Sequence, residues 1–318
     1  MTVDLIFQQL LIGITNGMVF ALIALGYSMV YGVLELINFA HGDLFMLASF
    51  FALTLLGALG ASNASPGLLA VELVAVVGAC ALFGAAVNVG LERVVYRPLR
   101  NAPKLAPLVS AIGLSFIFQN LGLFWGALPM DVFGGGTKAA APKAFPDLLP
   151  NYNLFGESSS FRLTPKDLVV IVSSLAVMAA LYALVKHTKL GKAMRAVAHD
   201  PRAARLMGID VERVIAATFA IGGALAGFGA VIYGLYINTV SYQIGYQNGL
   251  YAFTAAVLGG IGNIAGAVVG GLVIGIVRAF SDQLIGAQWQ QAVLFTILIV
   301  ILVFRPSGLL GAHAPEKV

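Results

Sequence analysis

Long uninterrupted apolar runs are the feature that most restricts what this chain can fold into. The first of them, Leu5–Val30, exceeds the roughly 20 helical residues needed to cross a hydrocarbon layer about 30 Å thick. The runs are continuous rather than alternating, which favours transmembrane helices over the strands of a membrane barrel. Charged residues make up only 10% of the chain, against roughly 25% in soluble proteins. The sequence therefore predicts an all-α integral membrane protein.

The apolar runs predict about eight transmembrane segments in a single domain that covers residues 1–318. The first run is expected to be a retained span rather than a signal peptide, because no basic residue precedes it and it is too long. The predicted spans are Leu5–Val30, Leu44–Leu59, Leu68–Leu91, Leu105–Leu128, Leu168–Val185, Val214–Tyr236, an interrupted Tyr251–Ala279 and Trp289–Phe304.

The distribution of basic residues predicts the orientation. Lys186–Arg213 holds seven Lys and Arg and Arg93–Lys104 holds four, whereas the longer stretch Gly126–Lys166 holds only four. Basic residues favour the cytoplasmic side, so the first two segments are placed inside and loop 126–166 outside. Clusters beside spans point to anionic membrane lipid or a protein partner and not to nucleic acid. The first 92 residues contain no Lys or Arg, and the parity of crossings favours an outside N-terminus.

Loop 126–166 has two possible interpretations. A connection of this length is usually either functional or without fixed structure. It is expected to be either a floppy surface loop or a docking surface for an extracytoplasmic protein.

Two polar interruptions in the apolar pattern are candidates for a pathway through the membrane. The first follows the first span and includes Asn38, Phe39, His41, Gly42 and Asp43. Ionisable groups are costly in lipid and should face protein, water or an interface. The segment is therefore either an interfacial loop in which Asp43 caps a helix starting at Leu44, or a broken helix that lines a pathway.

The second interruption holds Gly259, Gly260, Gly262 and Asn263. Glycine pairs are poor helix interiors, and Asn263 is a suitable cap for a helix starting at Ile264. The preceding helix, taken from Tyr251, is too short to cross a membrane. We expect a re-entrant pair of helices, with a kinked ordinary span as the alternative, since irregular backbone in membranes often marks transport sites.

The basic segment 186–213 contains a short helix with clear end signals. Asp200 is a strong N-cap, Pro201 suits the first helical position and Gly208 suits the position after the last turn, which predicts a helix over Pro201–Met207. Ala204 and Met207 are expected to share a face of it. Two turns are marginal alone, so the helix should dock on another protein, unless the segment is a basic loop facing lipid.

The sequence shows no motif of its own that could couple transport to an energy source. It has no phosphate-binding glycine loop of the G-x-x-x-x-G-K-[ST] type, and its four His and single Cys show no metal-ligand spacing. A stand-alone channel or proton-linked carrier would have to use Glu35, His41 and Asp43.

Several motifs together resemble the permease subunits of branched-chain amino-acid ABC importers, of the LivH type, over nearly the whole length. The motifs are Gly26–Gly32 (GYSMVYG), Asn38–Gly42 (NFAHG), Arg195–Ile209 (RAVAHDPRAARLMGI), Gly259–Asn263 (GGIGN) and Arg305–Gly311 (RPSGLLG).

The resemblance implies a non-catalytic subunit of an ATP-driven importer in the bacterial inner membrane, without a cofactor. Its expected partners are a second permease of the LivM type, two ATPases of the LivG and LivF type, and a periplasmic substrate-binding protein. Branched-chain amino acids, urea, amides and aromatic acids remain open as the solute. The residues expected to couple to the ATPases are Arg195, Asp200, Pro201, Ala204, Arg205, Met207, Gly208 and Ile209.

Overall fold

The structure is a computed structural model that describes residues 3–36, 38–61, 65–100, 102–103, 105–135, 138–156, 159 and 161–311. Within these residues the chain is mostly helical, apart from stretch 126–164. The helices are α1 Val3–Leu34, α2 Ala40–Leu59, α3 Pro66–Leu91, α4 Arg97–Leu99, α5 Leu105–Trp125, α6 Pro165–His187, α7 Lys189–His199, α8 Pro201–Leu206, α9 Val211–Ile237, α10 Ile244–Gly259, α11 Ile264–Leu284 and α12 Gln290–Phe304. A π-helical turn, Glu92–Tyr96, joins α3 to α4. Two short strands, β1 (Lys143–Ala144) and β2 (Thr239–Val240), pair antiparallel.

Eight helical segments of the described chain are long and apolar enough to cross a membrane. They are α1, α2, Gly67–Leu99, α5, α6, α9, α11 and Ala287–Phe304. The prediction of an all-α, multi-pass membrane protein with about eight spans is therefore confirmed. Helix α10 has 16 residues, about 24 Å of helix, and is shorter than the hydrocarbon layer.

Contacts between distant segments identify the two ends of the helix bundle. At one end, Gln8 of α1 exchanges hydrogen bonds with the backbone of Arg162 (3.2 and 2.8 Å), in the stretch expected outside. At the other end, Arg100 after α4 binds Glu212 at the start of α9, with 2.8 Å between Nη1 and Oε2. The two basic segments thus lie at one end and stretch 126–164 at the other, as the predicted orientation requires.

The described part of loop 126–166 has a defined structure. The buried Lys143 ammonium donates to the carbonyls of Phe133 (2.9 Å) and Lys138 (2.7 Å), and β1 pairs with β2 just after α9. At its end, Thr164 and Asp167 form a capping box at the start of α6. Most of the described residues here lie outside helices and strands, and both interpretations, a floppy surface loop and a docking surface, stay predictions.

Helices α1, α2, α9, α10 and α11 hold the core, and α1 packs most extensively, chiefly along α11. Close approach there depends on small residues, since a Cβ added at Gly17 would lie 2.9 Å from the Leu272 Cα. Helices α3, α5 and α12 lie outside this core and expose apolar side chains, for example Val74, Phe124 and Val303. Such surfaces suit lipid or another membrane subunit.

Helix α2 begins four residues earlier than predicted, at Ala40 instead of Leu44. Asp43 therefore lies in its first turn, and the predicted role of Asp43 as N-cap is wrong; Phe39 occupies that position without a side-chain bond. The earlier start follows from tertiary packing. A Cβ added at Gly42 would lie 2.7 Å from the Gly249 Cα, so the first turn of α2 is pressed directly against α10.

The predicted break after Gly259 is present, and Asn263 caps α11 by accepting from the Gly266 N–H at 3.1 Å. The helix before the break, α10, starts at Ile244 rather than at the predicted Tyr251. The chain after α12 covers the break, because the Leu309 and Leu310 N–H groups donate to the carbonyls at the end of α10 (2.8 and 3.0 Å). The break therefore lies at the same end of the bundle as the C-terminal end of α12.

The short helix of the basic segment is confirmed as α8, Pro201–Leu206. Asp200 Oδ1 accepts from the Arg202 and Ala203 N–H groups at 2.7 and 3.1 Å, and Gly208 takes the left-handed φ of 81°. The expectation that Ala204 and Met207 share a face is wrong. Ala204 is 4% exposed and Met207 is 83% exposed, because Met207 lies beyond the last helical residue.

Helix α7, which precedes α8, was not predicted. Thr188 caps it by accepting from the Gly191 N–H at 3.0 Å, and Met194 and Val197 are buried on one face. An apolar repeat over three turns was the available signal, masked by the high density of Lys and Arg.

Candidate functional site

A cavity of about 480 Å³ lies between α1, α2, α5 and α10. Its size is within the range of sites for small molecules. Most of its lining is apolar or aromatic, and its polar side chains are few. The residues that line it are Tyr27, Phe39, Asp43, Ile112, Ser115, Phe116, Gln119, Tyr246, Gly249, Leu250 and Phe253.

Asp43 is the only carboxylate among these lining residues, and it is 1% exposed. Its Oδ2 accepts a hydrogen bond from the Ser115 hydroxyl, which itself accepts from Gln119 Nε2 at 3.2 Å. Its Oδ1 has no hydrogen-bond donor among the described residues. Glycine at 245 makes room for this oxygen, because an added Cβ would lie 2.8 Å from it.

His41 and Gly42 lie behind the cavity wall. The buried His41 ring packs edge-on against Tyr27, with 4.9 Å between ring centroids, and against Gly26. Gly42 contacts the backbone of α10. Of the five residues predicted around the first interruption, Phe39 and Asp43 are thus the two that line the cavity.

Asn38 belongs to a buried chain of hydrogen bonds. Its Oδ1 accepts from the Tyr96 hydroxyl at 2.8 Å, and its Nδ2 donates to Asn88 Oδ1 at 3.4 Å. Asn88 Nδ2 donates onward to the Phe219 carbonyl at 2.7 Å. The chain ties the α1–α2 connection to α3, to the π-helical turn and to α9. Sequence reasoning missed Asn88 and Tyr96. The only signal was that Asn88 is a lone Asn in an apolar run.

The second predicted group lines a different cavity. Gly262 and Asn263 face an open cleft of about 860 Å³ together with Glu35 and with Lys186 and Arg195 of the basic segment. Gly259 and Gly260 pack against Gly266 and against residues 307–311. The structure therefore brings the second interruption to the basic segment and does not join it to the cavity at Asp43. No described group of three His, Cys, Asp or Glu side chains is placed to hold a metal ion in either cavity.

Charged side chains connect α8 to the rest of the bundle. Glu212 at the start of α9 meets Arg205 of α8 at 3.7 Å and Arg97 of α4 at 3.1 Å. Arg100 binds both Glu212 and the buried Glu92. Around this cluster, Pro201, Arg202 and Arg205 line a cleft of about 570 Å³.

Of the remaining predicted coupling residues, Arg195 and Ile209 bind the backbone of this chain, whereas Met207 lies at an exposed tip beside Leu206. Arg195 donates to the Val185 carbonyl of α6, and the Ile209 N–H donates to the Ala204 carbonyl at 3.1 Å. Leu206 and Met207, by contrast, are 88% and 83% exposed. A capped helix thus presents two bare apolar side chains at the basic end of the bundle, and exposed apolar groups of this kind mark interaction sites when they cluster.

Comparison with known proteins assigns the family. The family described as branched-chain amino acid transport system / permease component matches residues 9–302. The high-affinity branched-chain amino acid transport system permease protein BraD of Pseudomonas aeruginosa is 40% identical over 316 residues, which is 98% of this chain and 97% of BraD. The corresponding LivH of Escherichia coli K12 is 38% identical over 313 residues, 98% of this chain and 97% of LivH.

A more distant relative is the LivM permease protein of the same transport system in Escherichia coli K12, 22% identical over 171 residues, or 52% of this chain and 40% of LivM. No solved structure matches the chain. The family match and the near-complete relatives agree with the helical architecture and the resemblance read from the motifs. The chain belongs to the family of branched-chain amino acid transport system permease components.

Proposed function

We propose that this chain is one of two permease subunits of an ATP-driven importer in the bacterial inner membrane, and that the importer carries branched-chain amino acids. The names of its relatives BraD and LivH support this substrate class. The chain would form half of the translocation pathway, carry no catalytic activity of its own and receive mechanical work from ATPase subunits.

One observation carries the coupling part of this proposal. Leu206 and Met207 project from the capped end of α8 at the basic end of the bundle, and a two-turn helix in this position is stabilised by docking. The Glu212 cluster connects α8 to α9, to α4 and to the π-helical turn that follows α3, so a displacement of α8 would be transmitted to the membrane helices. ATPase subunits of the LivG and LivF type fit this surface.

Two further surfaces fit the remaining partners. At the opposite end of the bundle, Tyr152, Leu154 and Phe155 are exposed on the folded outside stretch, which supports docking of a periplasmic binding protein there. On the side of the bundle, Ile112 and Phe116 of α5 are exposed beside the Asp43 cavity. A second permease of the LivM type would cover this face and complete the pathway.

The proposal is tested by co-expressing the chain with its candidate partners and purifying the complex. Met207→Ser should reduce co-purification of the ATPases, because it removes an apolar contact from the docking tip. Phe155→Ser, which also removes an exposed apolar side chain but at the opposite end, is the control. It should retain the ATPases and weaken stimulation of ATP hydrolysis by the loaded binding protein.

Transport measurements separate this proposal from the alternative of a stand-alone channel or proton-linked carrier. In proteoliposomes, leucine uptake should require ATP, the ATPases and the binding protein. Leucine flux through the purified chain alone, without ATP, would contradict the proposal and favour the alternative.

A further inference from the structure

We infer that Asp43 is the residue that binds the ammonium group of the transported amino acid, in the cavity between α1, α2, α5 and α10. This inference rests on the proposed function, since it assigns a substrate contact within the pathway. It goes beyond a general pathway role by naming the substrate group that is recognised.

The geometry provides one acceptor that lacks a donor. Asp43 is 1% exposed, its Oδ2 is held by the Ser115 hydroxyl, and its Oδ1 has no donor among the described residues. A buried acceptor without a donor is costly, more so when it carries charge, and a ligand N–H group would remove that cost. Gln119 binds the same hydroxyl at 3.2 Å and so fixes the orientation of the carboxylate.

The surroundings select a cation with an aliphatic body. No Lys, Arg or His occurs among the described residues lining the cavity, so an anion would meet the Asp43 carboxylate without compensation. Phe39, Leu250 and Phe253 provide apolar walls suited to a branched side chain. The volume of about 480 Å³ holds an amino acid together with some water.

The position of Asp43 in the bundle also suits a pathway residue. It lies in the first turn of α2, whereas Gly57 near the other end of this helix faces Val132 in the outside stretch. The rise of an α-helix separates these two positions by about 21 Å. Asp43 therefore lies most of a helix length away from that end of the bundle, on an apolar helix where a substrate ammonium needs a counter-charge.

Competition binding on the purified complex of permeases and ATPases, without the binding protein, tests the inference. Radiolabelled leucine is displaced by 3-methylbutylamine, which lacks the carboxylate, or by 4-methylpentanoate, which lacks the ammonium. Wild-type protein should prefer the amine. Asp43→Asn should weaken leucine and amine binding by roughly tenfold to a hundredfold, the range for a hydrogen bond to a charged group, and should strengthen binding of 4-methylpentanoate, which no longer meets a like charge.

Two control variants accompany this measurement. Glu72→Gln removes a carboxylate of α3 that does not line the cavity and should leave all three affinities unchanged. Asp43→Glu retains the charge and should keep the preference for the amine over 4-methylpentanoate. Unchanged heat-induced exposure of Cys80 shows that each variant is folded.

The results distinguish failure of this inference from failure of the proposed function. If wild-type complex with binding protein and ATP imports no leucine, the proposed function fails. If it imports leucine, the inference alone is overturned by any of three results. These are equal affinities in Asp43→Asn and wild type, an equal loss for all three ligands, and no measurable leucine binding to the wild-type complex.

Discussion

Arg100 is the residue whose removal should destabilise the bundle most clearly. It lies after α4 and is 16% exposed, and it binds Glu92, which is 2% exposed, and Glu212. Glu92 is part of the π-helical turn, so its carboxylate is held inside the protein by local backbone structure. Arg97 also binds Glu212 but is 54% exposed, which makes it the matched control.

The expected magnitudes differ because the two arginines differ in burial. Arg100→Met leaves Glu92 as a buried charge without its partner, and breaking a buried pair in this way costs about 3–5 kcal/mol of unfolding free energy. Arg97→Met breaks an exposed pair, which is worth about 0–1 kcal/mol. In the double variant Glu92→Gln, Arg100→Met, both charges are removed and the cost should fall below about 2 kcal/mol.

Cys80 provides the assay. It is the single cysteine of the chain and is fully buried on α3, so a thiol-reactive fluorophore reports heat unfolding directly. For a chain of 318 residues, an unfolding entropy of about 2.1 cal/mol/K per residue means that each kcal/mol lowers the midpoint by roughly 1.5 °C. Arg100→Met should therefore lower it by roughly 5–8 °C.

The double-variant comparison is the decisive step. If Arg100→Met and Arg97→Met lower the midpoint equally, burial does not determine how much each ion pair of this cluster contributes to stability. If Glu92→Gln fails to restore stability in the Arg100→Met background, the cost does not come from an uncompensated Glu92 charge, and the reasoning is refuted.

Three further changes have defined outcomes. Gly208→Val places a β-branched residue at a φ of 81°, at a cost of about 1–3 kcal/mol. It should reduce co-purification of the ATPases while the permease still accumulates in the membrane. Tyr96→Phe removes the hydroxyl donor to Asn38 and should lower the Cys80 unfolding midpoint through a loss of about 1–3 kcal/mol; an unchanged midpoint would show that the bond is not stabilising. Asn263→Ala removes both the cap of α11 and the 2.6 Å bond to the Leu310 carbonyl, and should speed amide hydrogen exchange at residues 309–310 without affecting β1.

The short helix α8 was predictable because the signals at its ends are local. A carboxylate at Asp200, the fixed φ of Pro201 and the conformational freedom of Gly208 act within a few residues of α8, so neighbouring sequence contains the needed information. The same applies to Asn263 at the start of α11. The start of α2 was wrong for the opposite reason, since it depends on contact between Gly42 and α10, which is far away in sequence.

The candidate site shows the same division. Asp43 was recognisable as a carboxylate between apolar runs, but Ser115 and Gln119, which bind and orient it, come from α5 and give no local signal. Of the predicted pathway residues, Phe39 and Asp43 line one cavity, Gly262 and Asn263 line another, and the rest line neither.

The sequence by itself determined that the chain is a helical membrane protein, that the two basic segments are separated from stretch 126–164, and where α8 begins, because hydrophobic length, basic charge and capping act locally. Only the tertiary structure decided that Asn38 is held in a buried hydrogen-bond chain while Asp43 faces a cavity with one oxygen lacking a donor. The physical reason is that solvation and pairing of a polar group depend on side chains that helix packing brings from distant parts of the chain.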